Sequence, residues 1–364
     1  SMIYEHFLKM PRKDAIELLG SRRCDGYGMD TSVIQSMIEF LDFCYKAGVI
    51  NECQTGLPLS RIGSTEFSEK FMRMVAFREG FGEVLAKGII AAAEEIGPGA
   101  VEQVPKVVAT RGSEKKDYDP RLLITTAITY ATEPRRAIQQ LHEVSFFSMM
   151  WHGMGPGAKP GSMFSSEDFR KIASRLWGSE IAADFSTYEG KAMAARKLQD
   201  RVFFKESMVL CDLRWTMSQI PRVLGTGPDN VTEEQVYTAV TGKEIDREQV
   251  WHTGERIFNL QRAILLRQGW GGRDGDTLLD YFHTVPFQKN ELFFNADGMM
   301  PGKDGQPVSK VGATVERDKF EALKTEYYGY RGWDPATGYP TRSRLEELDL
   351  KDIADDLEAR GLLG

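Results

Sequence analysis

Apolar residues along this chain recur mainly with the period of an α-helix. After Asp30-Thr31-Ser32, whose side-chain oxygens suit an N-cap, Ile34, Met37, Ile38, Leu41 and Tyr45 form a stripe that stops at Gly48. That spacing predicts one amphipathic helix. Phe67, Phe71 and Val75 predict a second, and after Gly80 a third runs through Val84, Leu85, Ile89, Ala92, Ala93 and Ile96 to Gly97-Pro98-Gly99. Thr232-Glu-Glu-Gln235 and Asp246-Arg-Glu-Gln249 have capping-box spacing ahead of apolar runs, so helices frame the later half as well. Strand signals are weak: the best is 104–110, Val-Pro-Lys-Val-Val-Ala-Thr, and Pro105 restricts it to an edge or an extended linker. The Gly/Pro-rich stretch 153–161 and the polar stretch Gly298 to Gly312 read as loops, and no repeat of about 20–50 residues is visible. The expected fold is all-α and multihelical.

At 364 residues the chain exceeds what one core needs, which predicts two packed domains or one large helical body. The polar stretch 110–117 separates helical blocks and places the division there, giving a helical domain at 1–110 and a larger one at 111–364. With 41% hydrophobic and 27% charged residues the composition is that of a folded protein. Lys plus Arg number 46 against 53 Asp plus Glu, and the net charge of −7 argues against a nucleic-acid partner. No apolar run reaches the roughly 18–20 residues that span a bilayer, so no membrane insertion is expected. A serine ahead of the first methionine reads as a tag remnant, with the natural chain starting at Met2. Cys24, Cys44, Cys53 and Cys211 share no CxxC spacing, which disfavours a disulfide framework or a self-contained zinc site and points to a reducing cytoplasm.

No familiar phosphate or hydrolase signature is present. The chain lacks a G-x-G-x-x-G after a strand, a P-loop, an H-E-x-x-H and a G-x-S-x-G, and Gly269-Trp-Gly-Gly272 is a turn. His6, His142, His152, His252 and His283 are scattered, so this chain alone offers no evident metal centre. Three local patterns have two readings each. In Cys24-Asp25-Gly26-Tyr27-Gly28-Met29-Asp30, two carboxylates flank two glycines. They could accept paired N–H groups from a heterocycle such as a pterin, or could simply be a helix cap and a turn. Cys211, in the apolar stretch 206–215, is by itself an ordinary buried structural cysteine, and becomes a cluster ligand only if further thiolates lie outside this chain. Arg135, Gln139 and His142 share a helix face that carries positive charge and a titratable ring, or is a salt-bridged surface.

Five stretches, taken together, resemble the aldehyde ferredoxin oxidoreductase family of tungsten or molybdenum bis-pterin enzymes. They are Asp25 to Asp30; Ala76-Phe-Arg-Glu-Gly-Phe-Gly82 with Leu85 and Gly88; Asp117-Tyr-Asp-Pro-Arg121 leading to Tyr130-Ala-Thr-Glu-Pro-Arg135; Gly254-Glu-Arg-Ile257 through Arg262 to Asp276-Thr-Leu278; and Tyr327-Tyr-Gly-Tyr-Arg-Gly-Trp333 with Gly338-Tyr-Pro340. The resemblance implies the family's helical second and third domains without its mostly β first domain. It implies that Cys211 is the fourth ligand of a [4Fe–4S] cluster whose other three cysteines lie in a C-x2-C-x3-C run upstream of this sequence. Two pterin motifs of the form D-x-x-G-L-(C/D) align with Asp25 to Asp30 and with Glu206 to Cys211, so Asp25, Gly28, Met29, Asp30, Glu206, Leu210 and Asp212 are the implied cofactor contacts. The implied cofactors are a bis-molybdopterin carrying tungsten or molybdenum and the one cluster, both in the complete enzyme and neither kept by this chain alone. The implied reaction is oxidation of aldehydes to carboxylates with ferredoxin as acceptor, inactive without the missing N-terminal domain in cis or on a separate chain. A homodimer stays open.

Departures from the pattern widen the reading. Glu206 stands for Asp and Val209 for Gly in the second pterin motif. Where aldehyde oxidisers carry Pro-Arg-Gly and then a histidine, this chain has Pro134-Arg135-Arg136 with Gln139, and His142 one turn on is the candidate replacement proton donor. That change keeps the tungsten subunit of aryl-CoA reductases in view. The rival reading is a non-catalytic binding or assembly subunit that docks on a separate metal-bearing chain.

Overall fold

A computed structural model describes residues 16–107, 118–134, 138–153, 159–161, 164–213, 215, 232–292 and 295–364. The chain forms two compact units, Ser1–Asp117 and Tyr118–Gly364. The polar stretch 110–117 lies outside the described residues.

In the first unit, α1 (Ile16–Tyr27) has no counterpart among the predicted stripes, whereas α2 (Thr31–Lys46), α3 (Thr65–Phe77), α4 (Phe81–Leu85) and α5 (Ile89–Ile96) follow them. Ser64 caps α3 by accepting the Phe67 amide at 3.1 Å. Phe67 and Phe71 are fully buried and stack with ring centroids 5.6 Å apart, each adding about 1.5–3 kcal/mol by leaving water. The third stripe is two helices. Its apolar period passes through Gly88, but that residue has φ 92 and ψ 162, which breaks the helix and starts α5 afresh. Gly82 allows α4 to turn straight back onto α3, since a Cβ there would stand 2.0 Å from the Met74 carbonyl oxygen. The strand expected at 104–110 is instead a single 3-10 turn at Val104–Lys106, with Pro105 supplying its fixed φ; residues 108–110 lie outside the described ones.

The second unit is built on α6 (Thr126–Thr132), α7 (Ile138–His152), α8 (Ser166–Ile172), α9 (Lys191–Ser207), α10 (Glu233–Thr241), α11 (Arg247–Arg267), α12 (Arg317–Arg331), α13 (Arg342–Glu347) and α14 (Lys351–Ala359). Both expected capping boxes exist: Thr232 accepts the Gln235 amide and Asp246 the Gln249 amide, while each glutamine reaches back to the cap. The segment α9 lies against α11 and α12. Gly254 makes the first crossing close, because a Cβ there would fall 1.7 Å from the Asp200 carbonyl oxygen. At the second, buried Arg331 donates to Asp200, to Gln199 at 2.9 Å and to the Arg196 carbonyl at 3.2 Å. Phe147, Trp151, Phe164, Phe169, Trp177 and Phe185 form the aromatic centre of a separate core.

Gly298 to Gly312 is more ordered than a loop. It contains an antiparallel hairpin, β1 (Met299–Pro301) with β2 (Pro307–Ser309), in the register Met300 to Val308. Prolines in both strands conceal it from a pattern search, and a two-stranded pair tolerates them because only one edge of each strand is bonded. It is the one named sheet among the described residues, and the fold is all-α in character. No helix among them is long and apolar enough to cross a membrane.

Candidate functional site

Two helix ends of the same construction carry the two motifs. In the first unit, α1 runs through Cys24, Asp25, Gly26 and Tyr27, and closes at Gly28 in the left-handed region, φ 67. The Met29 amide donates to the Cys24 carbonyl at 2.8 Å and the Gly28 amide to Asp25 at 3.2 Å, the paired bonds of a Schellman cap. Only Gly28 makes the turn; Gly26 is helical. The side chains of Asp25 and Asp30 are exposed and Met29 is half-buried. Cys24 is buried with its Sγ 3.7 Å from the Met72 sulfur; burial first, and then the Asp25 and Asp30 charges, push its thiol above the ordinary range. Tyr27 meets Phe77 edge-on at 5.4 Å, and Phe77 stays largely exposed.

In the second unit, α9 ends the same way. The Leu210 amide donates to the Lys205 carbonyl at 3.0 Å and the Val209 amide to Glu206 at 2.9 Å. The residue at the left-handed position is Val209, φ 59, with its side chain 91% exposed. Glu206 and Leu210 are half-buried. Cys211 is exposed, which overturns the reading of a buried structural cysteine: the cap turns the chain outward before the next helical turn begins.

Behind Cys211 the next side chain points inward. Asp212 is buried, one oxygen paired with Lys205 of α9, the other 3.3 Å from His142 Nδ1 of α7. Burial raises its carboxyl, but the Lys205 ammonium and His142 outweigh that and hold it below the usual carboxylate range. One turn earlier on α9, buried Arg201 pairs with Glu143, which accepts the Trp177 indole N–H at 2.7 Å. Trp177 ends a short π-helical stretch, Ala173–Trp177. His142 is flanked by the Tyr118 ring, edge-on at 5.7 Å, and by Phe146. Sequence reasoning missed Lys205 and Glu143. The available signal was two cations, Arg201 and Lys205, four apart around an otherwise apolar Val-Phe-Phe.

The predicted residues thus fall into two groups. Asp25, Gly28, Met29 and Asp30 share the first cap; Glu206, Leu210, Cys211, Asp212 and His142 share the second. Arg135 and Arg136 lie outside the described residues, as does the side chain of Gln139. Among the described residues no three His, Cys, Asp or Glu side chains are grouped to hold a metal. An exposed thiol can serve a soft metal or cluster as one donor of several, and the exposed Asp25 carboxylate can accept paired N–H groups. These two fit the implied cofactors. The Asp212 carboxylate faces the interior and fits a holding role.

The family model described as aldehyde ferredoxin oxidoreductase, domains 2 and 3, matches residues 15–350. The chain is 24% identical over 331 residues to the tungsten-containing aldehyde ferredoxin oxidoreductase of Pyrococcus furiosus, covering 91% of this chain and 44% of that protein. With the protein of the same name from Thermococcus kodakarensis it shares 22% over 335 residues, 92% and 45% of the two lengths. The chain therefore spans less than half the length of these curated relatives. Among solved structures, the active-site complex BamBC of benzoyl-coenzyme A reductase, in complex with 1,5-dienoyl-CoA, matches 96% of this chain and 48% of that one, with TM-score 0.58 and 16% identity. That last likeness is one of fold.

Proposed function

Because the chain belongs to the aldehyde ferredoxin oxidoreductase family, we propose that it is the helical part of a tungsten- or molybdenum-pterin, iron–sulfur oxidoreductase. Its substrates are aldehydes, its electron acceptor is ferredoxin, and its setting is a reducing cytoplasm. It is inactive without a cofactor-bearing N-terminal portion, supplied in cis or by another chain. The observation that supports this best is the exposed thiol of Cys211 on the cap that ends α9, where the resemblance implies the fourth cluster cysteine.

When bound, the metal–pterin pair supplies two-electron redox chemistry and the cluster relays electrons singly. The chain's own residues have narrower tasks. Cys211 donates one thiolate. Asp25 and Glu206 accept N–H groups of a pterin edge, with Met29, Asp30 and Leu210 packed alongside the two turns. His142, with Nδ1 turned to Asp212, uses its second ring nitrogen to hold or deliver a proton. The change from histidine to Gln139 favours a second reading, an aryl-CoA reductase branch in which that proton goes to a ring instead of leaving an aldehyde hydrate.

Replacing Cys211 by Ala in the complete enzyme tests the ligand assignment. Loss of the cluster's visible absorbance and its paramagnetic signal on reduction is the expected result. Retention of a full four-iron cluster refutes it. Elemental analysis of the 364-residue chain alone should find no stoichiometric tungsten, molybdenum or pterin.

A further inference from the structure

The two helix-end turns differ at one decisive place. Where α1 has Gly28, α9 has Val209, and both sit at positive φ, 67 and 59. A β-branched residue in that region brings its Cβ against the backbone, and it persists only where neighbouring contacts over-determine the turn. The Val209 side chain, 91% exposed, provides no such contact.

The flanks provide it. Lys205 grips the turn twice: its carbonyl accepts the Leu210 amide at 3.0 Å, and its ammonium pairs with Asp212 on the far side of Val209. Both side chains are buried, and His142 stands 3.3 Å from the second Asp212 oxygen. The loop is therefore tied to α9 and α7 at once, with Cys211 left pointing outward. In the first turn the position of Lys205 is held by Cys24 against Met72, and Gly28 brings no strain to restrain.

We infer that Lys205 is a positioning residue: its ion pair with Asp212, backed by His142, holds the strained Val209 turn closed and so fixes the presentation of Cys211. The functional meaning of this clamp rests on the reading of Cys211 as a cluster ligand, although the clamp itself does not.

Hydrogen exchange and iodoacetamide labelling of the 364-residue chain, resolved by peptide mass spectrometry, test it. In Lys205→Met, exchange across 208–212 rises about tenfold or more and Cys211 labels at least about threefold faster. Exposed Cys53, in the other unit, keeps its wild-type rate. Adding Val209→Gly removes the strain and returns both readouts most of the way, which general loss of stability would not do. Should Lys205→Met fail to fold, the isosteric Asp212→Asn carries the same expectations. Wild-type protection in these variants, or no recovery with Val209→Gly, overturns the clamp. The ligand reading fails separately: a loosened turn in Lys205→Met with an intact cluster in Cys211→Ala leaves the clamp standing and removes its metal.

Discussion

Replacing Arg262 by Met isolates one buried charge, and the structure sets the size of the effect. The guanidinium is 2% exposed and meets the Asp276 carboxylate through two bonds of 2.8 Å. Asp276 is fully buried and also accepts the Tyr328 hydroxyl at 2.6 Å and the Trp270 indole at 2.7 Å. Met fills much of the volume but leaves a buried carboxylate with two neutral donors, and breaking such a pair from one side costs about 3–5 kcal/mol. For a unit of this size each kcal/mol moves Tm by about 2–4 °C, so a fall of roughly 6–20 °C is expected by calorimetry at pH 7. Arg262→Met/Asp276→Leu, which removes both charges, should recover most of the loss. A single variant within about 1 kcal/mol of wild type, or a double variant no better than the single, would refute the assignment.

Three further outcomes follow from the same geometry. Gly254→Ala should destabilise by about 1–3 kcal/mol in urea despite the better helix propensity of Ala, because its Cβ collides with the Asp200 carbonyl; a neutral or stabilised variant contradicts the close crossing. Lys191 Nζ is buried against the carbonyls of Ile181, Asp184 and Glu189, and burial pushes its ammonium down to about 7 from 10.5. Between those values the unfolded chain binds more protons, so this group makes stability rise with pH from about 7 to 10.5. Lys191→Met should remove that slope, and a steeper one would count against it. His142→Gln in the complete enzyme should lower kcat by about 10²–10⁴; unaltered turnover rules out the proton role.

Local chemistry was legible in the sequence and distant pairing was not. The boxes at Thr232 and Asp246 could be read because a cap and its partner lie three residues apart. The break at Gly88 escaped since hydrophobic periodicity continues on both sides of it, and the hairpin at 299–309 escaped because its strands are three residues long and each contains proline. Much of the family resemblance turns out to lie in the scaffold. Gly82, Gly254, Arg262 with Asp276, and Arg331 are positions of close approach or buried pairing. The Asp212 clamp was beyond reach from spacing alone, as it needs a reversal at Val209 and a histidine seventy residues earlier in the chain.

The larger unit has a seam that sets when it can fold. Arg121, wholly enclosed, donates to Asp119 beside it, and to the Val285 carbonyl at 2.9 Å and Glu291, while the rings of Tyr281, Phe282 and Phe287 surround its guanidinium. The bond to Val285 closes a span of 164 residues. On a ribosome, the opening segment of this unit must wait with an unquenched cation until residues 281–291 emerge, so its start is completed by its middle. Late closure of this seam is the consequence, and silent codon changes that delay synthesis between those points should lower soluble yield.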